Sequence, residues 1–283
     1  MTNKIVELVS HGLVESSTAF SDDKLVLLDR LIETERNETA KWVLMTIRKN
    51  ACVADKKKVP SCDDTGIPHL ILDVGPNCSV TGQMIESIKE GVKIGLRRLP
   101  GRPMAVTGGD IERIEQSLGI DGDPGAVEVA PILIRGIEEE RVRLHIMMFG
   151  GGPEIRAKTY RVFHRHSLES VIDEIVGWAI ESTRLLGCTP STLAVGVGRS
   201  HFEATSMMLQ SLVDGRYDIQ SDLERTITER VNAAGSGPLG LGGTTTVLAT
   251  FVKVGPQRAS GVRIVCMRPC CCVEPRKATI DLV

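Results

Sequence analysis

Clusters of glycine, proline, serine and aspartate cut the 283-residue chain into short stretches that alternate between helical and strand periodicity. No fixed repeat period runs through them, and no low-complexity linker separates them. That alternation predicts an α/β or α+β fold, with mixed sheets, interspersed helices and a helical N-terminal segment over about residues 1–58. The length allows one large domain or two small ones; the chain reads as one domain, residues 1–283. Hydrophobic residues make up 42% of the chain and aromatics only 3%, so the core must be aliphatic, with methionine filling gaps.

The opening helices follow from apolar spacing. Ser21 is a candidate cap for a helix over residues 22–33, with Leu25, Leu27, Leu28, Leu31 and Ile32 as its apolar stripe. A second helix is expected over residues 37–55, with Trp42, Val43, Leu44, Ile47 and Val53 inward, followed by a solvated Lys56–Lys58 end. The Pro60–Gly66 segment is turn chemistry. Strand signals follow at 69–74, at 127–135 and at 141–149, the last two read as a pair joined by the acidic Glu138–Glu140 turn. Helices are expected at 81–96, 168–186 and 201–213. Ser221 and Glu224 have capping-box spacing and open one more helix. Further strands are expected at 193–197, 245–254 and 262–266. Gly150–Gly152 is a tight turn with enough glycine to admit close backbone approach to a ligand as well, and Gly235–Gly243 is a second glycine loop.

Charge and export signals bound the setting. The formal net charge is −2, which argues against a surface built to neutralise nucleic-acid phosphates. Residues 1–7 are mixed in charge without an apolar core, and no apolar run approaches the roughly 18 residues that span a bilayer. A cytoplasmic protein without membrane or nucleic-acid partners is therefore expected. In a reducing compartment, cysteines more often serve metal or redox chemistry than disulfides.

The eight cysteines separate by context. Cys52 falls within helical periodicity and Cys266 within a strand pattern, so both are expected to be packing residues. Cys78 follows a Gly-Pro-Asn turn and stays undecided. Cys62 and Cys188 lie in loops between helix and strand, and Cys270 follows the last strand signal. Adjacent Cys270, Cys271 and Cys272 suit a tetrahedral zinc site poorly. Three thiolates from separate loops suit an iron–sulfur cluster with one iron lacking a protein ligand; isolated reduced thiols are the alternative.

Cys62-Asp63-Asp64-Thr65-Gly66 resembles the C-Q-D-T-G signature of class I, iron–sulfur fumarate hydratases and of L-tartrate dehydratase α subunits. Gly150–Gly152 is similar to that family's triple glycine, and Gly187-Cys188-Thr189-Pro190 through Gly198 to its C-P-P…V-G-V-G segment. The run from Gly235 to Thr246 resembles G-I-G-P-x-G-L-G-G-K-T-T, and Cys270 falls near the Cys of N-I-S-C. The likeness extends over about residues 5–280.

The resemblance implies a 4Fe-4S cluster held by Cys62, Cys188 and Cys270, with Cys271 and Cys272 as rivals for the third place. It implies a hydro-lyase that reversibly dehydrates a small 2-hydroxy-dicarboxylate, the open-site iron acting as Lewis acid. Asp64 would be catalytic, touching the substrate hydroxyl or leaving water. Asp63, Arg97 and Gly151 would bind substrate, Arg97 through a guanidinium suited to a carboxylate. A β subunit would bring the general base, in an (αβ)2 assembly. Several positions depart from the pattern. Asp63 replaces a glutamine, Arg199-Ser200-His201 replaces a small stretch, and Thr244 replaces a lysine. These changes imply either a divergent substrate or a cluster-binding relative without the usual reaction.

Overall fold

Apolar spacing and capping chemistry set the local elements of the computed structural model, which describes residues 2–282. In chain order they are α1 (Thr2–Thr18), α2 (Asp22–Thr34), α3 (Glu38–Lys57), β1 (Ile67–Val74), α4 (Gly82–Arg98), α5 (Asp110–Glu115), β2 (Leu133–Gly136), β3 (Val142–Phe149) and α6 (Gly151–Glu154). There follow β4 (Lys158–Phe163), α7 (Leu168–Leu186), β5 (Ser191–Gly198), α8 (His201–Asp214), α9 (Asp222–Asn232), β6 (Val247–Val254), β7 (Val262–Cys270) and β8 (Arg276–Asp281). Both halves of the Ser221–Glu224 capping box form at the start of α9. Thr81, Ser167 and Ser200 cap α4, α7 and α8 through their hydroxyls, whereas Ser21 precedes α2 without a side-chain bond.

The fold is α/β with two mixed four-stranded sheets and a helical N-terminal segment. The chain divides into two compact units. The first holds Ala51–Gly151 together with the N-terminal residues through Phe20 and the C-terminal residues from Arg276; the second holds Ser21–Asn50 and Gly152–Pro275.

In the first unit the strand order is β2-β1-β3-β8, with β1 parallel to β2 and β3 antiparallel to both β1 and β8. Helices α1 and α4 bury Ile5, Val9, Leu13, Ile88, Val92 and Leu96 in the same aliphatic core as β1 and β3. In the second unit the order is β4-β7-β5-β6; β5 runs parallel to β6, and β7 runs antiparallel to β5 and β4. Helices α7 and α9 close its core through Ile175, Val176, Ala179, Ile227 and Val231.

Several expectations are corrected. Strands β2 and β3 do not pair with each other, because β1 lies between them. A turn between consecutive strands suggests a hairpin, but β2 here adds in parallel to a strand far upstream. Strands β4 and β8 carry no clear strand signal in the sequence, because Lys158, Arg161, Arg276 and Lys277 mask their periodicity. On α3 the buried positions are Ala40, Val43, Leu44, Ile47, Ala51 and Ala54, an unbroken stripe at helical spacing. Trp42 and Val53 lie off that stripe and are exposed, at 63% and 41%, and Cys52 is exposed as well, so it is not the packing residue expected. On α2 the fully buried positions are Lys24, Leu27 and Leu28; Leu25, Leu31 and Ile32 are only half-buried.

Candidate functional site

The first unit shapes the Cys62–Gly66 turn by backbone bonds. Ser61 N–H donates to the Ser17 carbonyl at 3.1 Å, and the Thr65 hydroxyl donates to the Arg102 carbonyl at 3.0 Å. Arg276, on β8 and 3% exposed, donates through Nη1 to the carbonyls of Asp64 (2.6 Å) and Thr65 (3.1 Å), and through Nε to that of Met148 (3.2 Å). This guanidinium passes under Gly66, where φ is +87° and an added Cβ would stand 2.4 Å from Arg276 Nη2. Only glycine fits there, by conformation and by space.

The turn presents three side chains. Cys62 is half-buried; burial pushes its thiol up, and the Asp63 carboxylate, which accepts from Sγ at 3.5 Å, pushes the same way. Asp63 is exposed. Asp64 accepts from Gly66 N–H at 3.1 Å and from Gly151 N–H at 2.7 Å. Asp64 and Gly151 are thus brought together, with the glycine amide already serving the carboxylate. Arg97 is paired with Asp123 in a two-pronged contact at 2.9 and 2.6 Å. The Arg97 guanidinium and Gly125 N–H hold the Asp123 carboxyl down at about 2.

In the second unit, β5 and β7 are antiparallel with Thr192 opposite Cys270, so the turn before β5 and the turn after β7 share one end of the sheet. Cys188 sits in the first turn and Cys271 and Cys272 in the second. Cys272 N–H donates to the Cys188 carbonyl at 2.9 Å, and the Ser191 hydroxyl to the Cys270 carbonyl at 2.5 Å. The Gly235–Gly243 loop docks on the first turn: Thr189 donates to the Gly237 carbonyl at 2.7 Å, and Leu239 N–H to the Thr189 carbonyl at 3.1 Å. At Gly237 φ is +66° and a Cβ would strike the Gly242 carbonyl, so the loop closes only with glycine. Thr244, where the resembled family has lysine, donates both its N–H and its hydroxyl to Glu35 Oε2 at 2.9 Å.

The three adjacent thiols are not equivalent. Cys270 is wholly buried at the end of β7; Arg268 Nη1 donates to its Sγ at 3.2 Å, yet burial drives its thiol up to about 12. Cys271 is buried, whereas Cys272 is half-exposed and Cys188 exposed. Cys266 is buried in the strand, as its pattern predicts. None of the eight cysteines forms a disulfide.

Behind this turn lies a set of buried charges that no sequence pattern reveals. Arg268, fully buried, donates to Glu274 at 2.7 Å and to Glu154 at 3.0 Å. Burial opposes its charge, but Glu274, Cys270 and Glu154 more than offset that and raise its pKa. Lys24 Nζ donates to the carbonyls of Cys272 (3.0 Å) and Glu274 (2.7 Å). Burial pushes the Lys24 ammonium down to about 8, while Cys272, Cys271, Cys270 and Glu274 favour its charge. The one available hint is that Lys24 stands in register with Leu27 and Leu28 on α2.

Among the described residues, no three His, Cys, Asp or Glu side chains are gathered into a cation-binding group. Cys188 and Cys272 share the second unit and Cys62 belongs to the first. The donor chemistry still suits an iron–sulfur group: Cys62, Cys188 and Cys272 are loop thiols outside any disulfide and at least partly exposed, soft ligands of the type such clusters take.

The sequence matches the family described as fumarate hydratase (fumerase) over residues 6–281. The chain belongs to that family. It is 28% identical over 263 residues to a putative L(+)-tartrate dehydratase subunit alpha of Methanocaldococcus jannaschii, covering 89% of this chain and 88% of the relative. It is 23% identical over 273 residues to the L(+)-tartrate dehydratase subunit alpha of Escherichia coli strain K12, covering 95% and 88%. No helix among the described residues is long and apolar enough to cross a membrane.

Proposed function

We propose that this fumerase-family chain is the α subunit of an iron–sulfur hydro-lyase that dehydrates a small 2-hydroxy-dicarboxylate, and that it works in the cytoplasm. The observation that carries the reading is the backbone bond from Cys272 to Cys188, which sets two loop thiols on one sheet end in a chain of this family. Cys62, Cys188 and Cys272 would hold a 4Fe-4S cluster. Cys272 suits the third place better than Cys270, because Cys270 is sealed in the strand and hydrogen-bonded to Arg268. When bound, such a cluster supplies an iron with an open position, a Lewis acid for a substrate carboxylate and hydroxyl.

This chain's own residues then have definite tasks. Asp64 accepts from two backbone N–H groups, which fix its orientation and leave lone pairs to accept a hydrogen bond from the substrate hydroxyl. Gly151 acts on substrate through Asp64 rather than by its own amide. Asp63 is exposed beside Cys62 and, when ionised, can only accept; it suits a substrate hydroxyl and repels a carboxylate. Arg97 must exchange Asp123 for a substrate carboxylate, an exchange between two like partners at the surface. The general base and further carboxylate-binding groups would come from a β subunit in an (αβ)2 assembly, in keeping with relatives named as subunits alpha.

A second reading, a cluster-binding relative without this reaction, is favoured by Thr244, whose amide and hydroxyl are both taken up by Glu35. Anaerobic purification with iron and sulfide analysis tests the cluster, and turnover of L-malate, fumarate, mesaconate and tartrates with the β subunit tests the reaction. A sulfide-free protein that cannot be reconstituted overturns the first reading; a loaded complex inert on all four substrate types leaves the second.

A further inference from the structure

Lys24 is 1% exposed, although it belongs to a residue type that rarely leaves water. Its helix is fixed at that end by Asp23, whose Oδ2 accepts from Tyr217 N–H at 2.7 Å. The Lys24 ammonium is therefore aimed rather than free to swing. It donates to the carbonyls of Cys272 and Glu274, two residues apart on the turn that carries the thiols. The Glu274 carboxylate faces Arg268 at 2.7 Å. Lys24, Arg268 and Glu274 are each at most 1% exposed, and Arg268 also meets the exposed Glu154 at 3.0 Å. A buried ammonium is stable only where dipoles or negative charges face it. Thiolate ligands are such charges, and they lie on this very turn.

We propose that Lys24 is a positioning residue for the iron–sulfur group: its ammonium holds the Cys270–Glu274 turn with Cys272 beside Cys188, and with Arg268 it offsets the negative charge of the ligated cluster. The inference rests on the iron–sulfur reading above. A cation held this close to the ligands favours the more reduced, more negative cluster, and so raises its reduction potential.

The test uses the full chain, purified anaerobically and reconstituted with iron and sulfide, as wild type, Lys24→Met and Lys24→Arg. Folding is followed by circular dichroism, cluster loss by chelator kinetics, and potential by a redox titration read in the electron paramagnetic resonance spectrum. Lys24→Met should fold, lose its cluster about tenfold faster, as expected when a group supporting a metal ligand is removed, and show a lower potential. Lys24→Arg should restore both. A wild-type potential in Lys24→Met overturns the proposal, even if loss is faster, because Lys24 is then only a structural clamp. If Lys24→Met does not fold, Glu274→Gln decides: it removes the buried carboxylate charge and keeps the carbonyl that Lys24 holds, so the potential should rise. An unchanged potential there overturns the proposal. Wild type that takes up no iron or sulfide is a different result, since it removes the iron–sulfur reading itself.

Discussion

Each unit buries a small set of charges on its sheet, and the two sets are built differently. In the first unit Asp73 of β1 is 2% exposed, and its carboxylate accepts from Arg135 of β2 and from His145 of β3 at 2.9 Å. His145 Nδ1 meets the Thr279 hydroxyl of β8 at 2.9 Å, so the set runs across all four strands. Every member faces another side chain, and no cysteine takes part. In the second unit Lys24 binds backbone carbonyls, Arg268 binds two carboxylates and a sulfur, and the set lies against three consecutive cysteines. The first arrangement is closed and serves strand register. The second leaves positive charge directed at thiols. Burial alone therefore does not identify a functional charge; what the charge faces does.

The comparison predicts its largest effect at the thiols. Cys62→Ser, Cys188→Ser and Cys272→Ser should each lose most of the iron and sulfide, whereas Cys270→Ser should keep both, measured after anaerobic reconstitution. Retention of the cluster in Cys272→Ser with loss in Cys270→Ser would reverse the assignment and make the sealed thiol the ligand.

Next in size is the closed set. Asp73→Ala strands Arg135 and His145 without their shared acceptor and should destabilise the first unit by about 3 kcal/mol, as breaking a buried charged pair does. Denaturant unfolding, followed with amide exchange in β1 and β3, checks this, and cluster content should be unchanged. Equal loss of cluster would erase the distinction between the two sets.

A milder perturbation is acid. Burial holds the His145 imidazole below its ordinary range in spite of Asp73. Unfolded histidine takes up a proton first, so the stability His145 contributes is present above about pH 6.5 and is lost as pH falls toward its lower folded value. Burial raises the Asp73 carboxyl, but the Arg135 and His145 hydrogen bonds outweigh it and leave it lowered. Its contribution is present above about pH 3.9 and fades below that. Melting temperature should therefore fall in two stages on acidification, the upper stage absent in His145→Gln. An upper stage that survives this substitution would place the titration elsewhere.

The smallest structural effect belongs to Arg97. Its ion pair with Asp123 is half-exposed, and such pairs add little to stability. Arg97→Ala should leave melting unchanged while raising KM for a dicarboxylate. An unchanged KM would remove Arg97 from substrate binding.

Much of the fold is legible locally. Ser221 and Glu224 announce α9 because both halves of a capping box lie within four residues. Helices α4, α7 and α8 begin within a residue of the starts expected at 81, 168 and 201. The pairing of β2 with β1 is not legible, since a parallel ladder across more than sixty residues leaves no mark at the turn between β2 and β3. Nor is the inward face of α3, where Trp42 is the bulkiest side chain with an apolar body and yet is exposed to solvent. Of the candidate site, the turn placement of Cys62, Asp64 and Cys188 is legible because loops and glycines surround them. Arg276, Arg268, Glu274 and Lys24 are not, because each looks like an ordinary surface charge until its partners, up to 250 residues away, are known.

The sequence by itself determined the alternation of helices and strands, the glycine turns at Gly66 and Gly237, and the loop placement of Cys62 and Cys188, since capping, positive φ and loop composition act within a few residues. Only the tertiary structure decided that Cys272 rather than Cys270 faces the Cys188 turn, and that Lys24 and Arg268 are buried behind it. The reason is physical: exposure, pairing and charge balance depend on which distant strands and helices come together, and β5 pairs with β7 across more than sixty residues of sequence.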